Sequence, residues 1–156
     1  NKSAYICQKY HVYNQKQRTV FFCYKLKEHE LLISIARMND TKVLIEKIKE
    51  GIQEKKGKNI IIADLTSIED TICKYFVICQ GNSPSQVSAI VDSIREFTRK
   101  DADTKPFAID GLRNAEWVAM DYSDVLVHVF LPEVRGFYNL EHLWADAKLT
   151  QIPDLD

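Results

Sequence analysis

The fourteen residues WVAMDYSDVLVHVF, Trp117 to Phe130, decide how this chain folds. Two runs rich in valine and aromatic residues flank the polar tetrad Asp121-Tyr122-Ser123-Asp124. Such residues favour a pleated, half-buried surface, and a short polar break between two of these runs predicts an antiparallel hairpin. Alternation puts Trp117 and Ala119 on one face, Val118 and Met120 on the other, and groups His128 with Leu126 and Phe130. The same stretch looks half like an active site, because it holds two aspartates, a tyrosine and a histidine.

Chemistry is the weaker reading of those groups. Asp121, Asp124 and His128 could be imagined as metal ligands, but at strand rise His128 lies about 13 Å from Asp124. No second His or Cys cluster supplies the missing ligands. Docking explains the composition better. Trp117, Met120 and Tyr122 gather near a hairpin tip rimmed by Glu116, Asp121 and Asp124, and aromatic anchors inside an acidic rim suit a basic partner. For Trp117 a core position is an equal alternative.

Working outward, "NIIIADL" (59–65) and "ICKYFVICQ" (72–80) read as buried strands, and "FAIDG" (107–111) as a short one. "NDTKVLIEKIKEGIQEKKGKN" reads as a helix with Val43, Leu44, Ile48 and Ile52 on one stripe, Asn39 or Asp40 as N-cap and Gly57 at its stop. In "GNSPSQ", Ser83 caps a second helix, Pro84 fits its first position and Gln86 completes a capping box. Val87, Ile90, Val91, Ile94 and Phe97 come after it at helical spacing. Pro132 ends the last strand of the hairpin, and Val134, Phe137, Leu140, Leu143 and Trp144 mark two short helical turns. This order predicts an α/β fold, a mixed five-stranded sheet with helices on both faces.

The net charge of −1 over 156 residues hides a division. Residues 1–37 hold seven basic and two acidic groups, whereas 38–156 hold fourteen basic and twenty acidic, a net of −6. A domain of that sign makes a poor general binder of nucleic acid and suits a basic protein partner. The four cysteines, Cys7, Cys23, Cys73 and Cys79, form no CxxC pair and read as buried free thiols of a reducing compartment. No run approaches the eighteen apolar residues of a membrane span.

Residues 1–37 are basic, rich in Tyr and Phe, and lack the regular periodicity of residues 38–156. They read as an N-terminal extension, either upstream sequence before a natural start at Met38, an organelle transit peptide, or an arm that binds RNA or membrane. Residues 38–150 form the expected domain, and 151–156 a C-terminal tail.

"DLTSIEDTICKYFVICQGNSPSQVSAIVDSI" with "DGLRNAEWVAMDYSDVLVHVFLPEVRGFYNLEHLWADA" resembles the ribosome silencing factor, or Iojap, family over about residues 42–148. The resemblance implies a nucleotidyltransferase-like α/β fold without established catalysis, no cofactor and no metal, and members often seen as dimers. It implies binding to the large ribosomal subunit through the basic β-barrel protein numbered fourteen, a block on small-subunit joining, and repression of translation when nutrients are short. The setting would be the bacterial cytoplasm, or an organelle matrix if 1–37 is a transit peptide. Carried onto this chain, the partner-binding residues would be Trp117, Asp121, Tyr122, Asp124 and His128, with Phe130 beside them. Lys74, Ser123 and Ala145 depart from the family's usual aspartate, glycine and glycine. If position 123 needs positive φ, serine costs about 1–2 kcal/mol there. The alternative function is a nucleotidyltransferase-like enzyme using the Gly81–Ser83 turn, whose free amides could hold a phosphate.

Overall fold

The computed structural model describes residues 27–144 and 146–155, with side chains described from residue 37 onward apart from Leu143. The expectations for residues 1–26, among them Cys7 and Cys23, and the one for Ala145, lie outside the described residues. Contacts divide the chain into Asn1–Met38 and Asn39–Asp156. The described part of the first unit is helical. The sheet and its core belong to the second.

Helix α1 (Lys27–Glu54) continues through Asn39 and Asp40, so neither residue caps it as the sequence suggested. Its buried stripe is Leu44, Ile45, Ile48 and Ile52, and Val43 is turned to solvent. Strands β1 (Lys58–Asp64) and β2 (Tyr75–Gln80) come next, then helix α2 (Pro84–Asp101). Strands β3 (Ala108–Asp110), β4 (Trp117–Asp121) and β5 (Val125–Phe130) precede the short helices α3 (Pro132–Tyr138) and α4 (Leu140–Leu143). The last element is strand β6 (Lys148–Ile152).

Among the described residues the sheet has six strands in the order β3-β4-β5-β2-β1-β6, one more than the sequence predicted. The addition is β6, which pairs antiparallel with β1 from Ile60↔Ile152 to Asp64↔Lys148 and absorbs the start of the expected tail. The hairpin β4–β5 is antiparallel as expected, β1–β2 is antiparallel, and β2–β5 is the parallel pair that makes the sheet mixed.

The two faces carry different cores. Val77 and Cys79 of β2, Val118 and Met120 of β4, and Val125, Val127 and Val129 of β5 join the apolar stripes of α1 and α2. Gly51 lets the two helices approach closely, since a Cβ there would lie 2.8 Å from the Ile94 Cα. Ser83 caps α2 by accepting from the Gln86 amide at 3.1 Å. The Gln86 side chain in turn accepts from the Asn82 amide at 2.8 Å and donates to the carbonyls of Lys55 and Lys56 beyond α1. The capping signal thus also joins two helix ends.

The opposite face is aromatic. Phe76, His128, Phe130 and Trp117 meet Tyr138 of α3 and Trp144 just beyond α4. Arg135 fastens α3 to this face. Buried, it donates through Nη1 to the Asn59 carbonyl at 2.7 Å and to Gln80 Oε1 at 3.3 Å, and through Nε to Glu141 Oε1 at 2.7 Å.

Two of these geometries bear on stability. Ser123 adopts φ 72° at the hairpin tip, the left-handed region its Cβ disfavours. Ser123→Gly should therefore raise unfolding stability by about 1 kcal/mol in urea titrations, with the slope unchanged. Glu141→Ala leaves the Arg135 charge buried without its carboxylate and should lower stability by about 3 kcal/mol. A loss below a few tenths would mean that Arg135 does not depend on Glu141.

Candidate partner-docking surface

The structure separates the six residues singled out in the sequence. Trp117, Asp121 and Asp124 keep part of their surface exposed. Tyr122, His128 and Phe130 are buried, at 3%, 3% and 0% exposure. Tyr122 is the clearest departure from expectation, because its place beside the turn suggests a surface anchor. Its ring joins the helix-side core and its hydroxyl lies 3.0 Å from Thr98 Oγ1, inside the protein. A signal for this exists in the sequence: residue 122 shares its parity with Val118 and Met120, both fully buried.

Trp117 and His128 form one unit. The register Trp117↔Phe130 and Ala119↔His128 makes them diagonal neighbours on the aromatic face. Trp117 Nε1–H donates to His128 Nδ1 at 3.0 Å. The accepting Nδ1 fixes the tautomer with the proton on Nε2, which is buried and has no hydrogen-bond partner among the described residues. Burial holds the imidazole neutral and pulls its pKa down to about 3. A proton carrier near neutrality needs a pKa near 7 and access to water, and His128 has neither. It serves as an acceptor that orients the indole.

The hairpin acids are engaged locally. Asp121 Oδ1 accepts the Ser123 amide at 2.7 Å and so holds the strained turn. Asp124 Oδ2 receives Lys74 Nζ at 3.0 Å and the Thr41 hydroxyl at 3.4 Å. Lys74, one of the three residues read as departures from the family pattern, thus shields one of the acids expected to act as a docking charge. Cys73 and Cys79 are free and buried, and burial pushes both thiols up to about 12. Neither is a thiolate near neutrality.

At the Gly81–Ser83 turn the amides of Gly81, Asn82, Gln86 and Val87 are each donated inside the protein. That leaves little of the amide cradle a phosphate would need. Among the described residues no three His, Cys, Asp or Glu side chains gather to hold a metal ion. No helix among them is long and apolar enough to cross a membrane.

What the aromatic face does present to solvent is Phe137, which helical spacing in the sequence places among the apolar positions. On α3 it is 81% exposed. It meets Tyr138 edge-on at a centroid distance of 5.0 Å, and Tyr138 meets Trp117 at 4.7 Å. Adjacent residues on a helix point about 100° apart, so Phe137 and Tyr138 could not both turn inward from a two-turn helix. A ridge runs from the exposed Phe137 through the half-buried Tyr138 to the half-buried Trp117, with the exposed carboxylates of Glu133 on α3 and Glu116 just before β4.

This architecture belongs to a class of small α/β domains already seen in crystals. A crystal structure of a Bacillus halodurans protein superposes with a TM-score of 0.60 at 29% sequence identity, covering 70% of this chain and 97% of that one. The family model described as "Ribosomal silencing factor during starvation" matches residues 38–156, and the chain belongs to that family. The ribosomal silencing factor of Bacillus subtilis is 37% identical over 99 residues, which covers 64% of this chain and 82% of that protein. That of Halalkalibacterium halodurans is 32% identical over 109 residues, 70% and 92% of the two chains.

The buried imidazole gives a pH prediction. His128 binds a proton in the unfolded chain near its ordinary pKa of about 6.5, but in the folded chain only near 3. Between those values the unfolded state holds more protons, so stability falls as pH is lowered, by at most about 1.4 kcal/mol per pH unit from this group. Denaturation measured at pH 7, 6 and 5 should show that fall. It should be shallower in His128→Gln, which keeps an acceptor for the indole; an equal slope would remove His128 as its source.

Proposed function

We propose that this chain is a steric anti-association factor. It occupies the large ribosomal subunit at the basic β-barrel protein numbered fourteen on the subunit-joining face. Occupancy there blocks the small subunit and represses translation under nutrient limitation. The action takes place in the bacterial cytoplasm, or in an organelle matrix if residues 1–37 are a transit peptide. No turnover is required, only competition by mass action.

The observation that carries this reading is the aromatic ridge formed by the exposed Phe137 with the half-buried Tyr138 and Trp117, in a domain of net charge −6. Aromatic anchors at the centre and acids at the rim match the composition of interfaces with basic proteins. Trp117, Asp121 and Asp124 contribute from the hairpin, and Tyr122, His128 and Phe130 support them from inside. Family membership points the same way. The enzymatic alternative has less support, because the Gly81–Ser83 turn spends its amides on capping and strand contacts.

Phe137→Ala is the cleanest test, since a side chain this exposed contributes little to folding. If Phe137 is a hot spot, truncation costs about 2 kcal/mol, roughly a thirtyfold loss of affinity for large subunits in co-sedimentation. Trp117→Ala should lose at least as much, with some loss of stability. Light scattering of purified subunits checks the mechanism: a saturating excess of the parent chain should slow their joining. Joining at the same rate with and without it would rule the proposal out.

A further inference from the structure

The sheet breaks register where β1 begins. Lys58 stands opposite Gln80 but Ile61 stands opposite Ile78, so β1 has one residue more than β2 over that span. This is a β-bulge, a device that interrupts pairing and re-aims what the strand presents. Asn59 lies in it with φ 50°, in the left-handed region, and the pairing of β1 with β6 starts only at Ile60. The peptide groups of Asn59 are engaged outside both ladders. Its carbonyl accepts from Arg135 Nη1 at 2.7 Å, and its amide donates to Asp154 Oδ1 at 2.8 Å. Beside it, Lys58 Nζ donates to the Leu155 carbonyl at 2.9 Å. The residues after β6 are thus fastened to the bulge at two points.

We propose that Asp154 is a positioning residue for helix α3. It holds the Asn59 amide, which aims the Asn59 carbonyl at Arg135, and the seated Arg135 fixes the helix that presents Phe137. That last step rests on the docking reading of Phe137; the hold on α3 does not.

The coupling follows from backbone geometry. A residue other than glycine stays in the left-handed region only while its surroundings over-determine it. Here Asp154 fixes one side of Asn59 and Arg135 the other. Releasing the amide lets Asn59 relax to negative φ, and the rotation turns its carbonyl away from Arg135. The guanidinium is buried, so an N–H left without an acceptor there is costly. Arg135 then recovers a partner only by moving, and α3 moves with it. Phe137 is two residues away on the same short helix. A looser helix must be ordered on contact, which weakens binding.

The test compares Asp154→Ala with Asp154→Asn in the full chain. Asp154 is exposed, so both variants should fold as the parent does. Hydrogen exchange followed by NMR reads the helix directly. The Arg135 and Asn139 amides, bonded to the Leu131 and Arg135 carbonyls, report on α3. Those of Ile90 and Ile94 in α2 report on the whole domain. In Asp154→Ala the α3 amides should exchange roughly tenfold faster while Ile90 and Ile94 keep the parent's rates. Asparagine retains the Oδ1 acceptor and should restore the parent's behaviour. Unchanged α3 exchange in the alanine variant would overturn the proposal. Equal acceleration in α2, the mark of general destabilisation, would do the same, as would failure of asparagine to rescue. Affinity for large subunits in co-sedimentation should fall severalfold in Asp154→Ala and recover in Asp154→Asn. A loosened α3 with undiminished affinity would overturn the link from Asp154 to docking. If the parent itself does not co-sediment, the docking reading fails, and the exchange rates still decide whether Asp154 holds α3.

Discussion

The constraint on which the rest of this structure depends is the register of β5. All six residues from Val125 to Phe130 are buried, because the strand is covered on both faces and paired on both edges. Its odd positions, Val125, Val127 and Val129, belong to the helix-side core, and its even positions, Leu126, His128 and Phe130, to the aromatic face. A slip of one residue would push His128 among the valines and leave the Trp117 indole without its acceptor. The pairing is pinned at one end. The Tyr122 amide donates to the Val125 carbonyl at 2.9 Å across the tip, and the amides of Lys74 and Tyr75 both donate to the Asp124 carbonyl as β2 begins. The strained Ser123 is tolerated because so many contacts fix its neighbours.

Much of the fold was legible where local chemistry and tertiary packing agree. The hairpin, the Ser83 cap with Pro84 and Gln86, and the short strand at Ala108–Asp110 all stand where turn residues and alternation put them. The misses share a cause. Strand β6 contains one lysine, one threonine and one glutamine in five residues, and all but Ile152 are exposed. It is a strand because β1 offers a free edge, and nothing in its own pattern says so. Helix α1 runs through Asn39 and Asp40 for a related reason: the capping preference of a short polar residue is worth about 1 kcal/mol, which neighbouring helical residues outweigh.

The surface was less legible than the fold, and alternation explains how. Proximity in sequence to a turn suggested that Tyr122 points outward, yet its parity with Val118 and Met120 already assigned it to the core. The partnership of Trp117 with His128 was not readable at all, because it needs the register to place two residues eleven apart on one diagonal. Phe137 was hidden differently. An apolar residue at helical spacing reads as core, and only the brevity of α3, seven residues with Tyr138 taking the inward direction, turns it to solvent.

An exposed phenyl ring on a short helix would be a poor anchor if the helix could swivel, because ordering it on contact costs conformational entropy. Here the ordering is largely done in the free chain. Arg135 holds α3 to the Asn59 carbonyl and Gln80, and Tyr138 stands against Trp117, itself fixed by Phe130 and His128. The buried histidine therefore contributes to the surface without touching it. The acids at the hairpin are the opposite case, since Asp124 is already paired with Lys74 in a half-exposed ion pair. Exposed pairs of this kind are worth at most about 1 kcal/mol, so a basic partner could take over the carboxylate at small cost. On this surface the rigid part is apolar and the exchangeable part is charged, so in the proposed docking the aromatic ridge would set residence time and the acids the encounter.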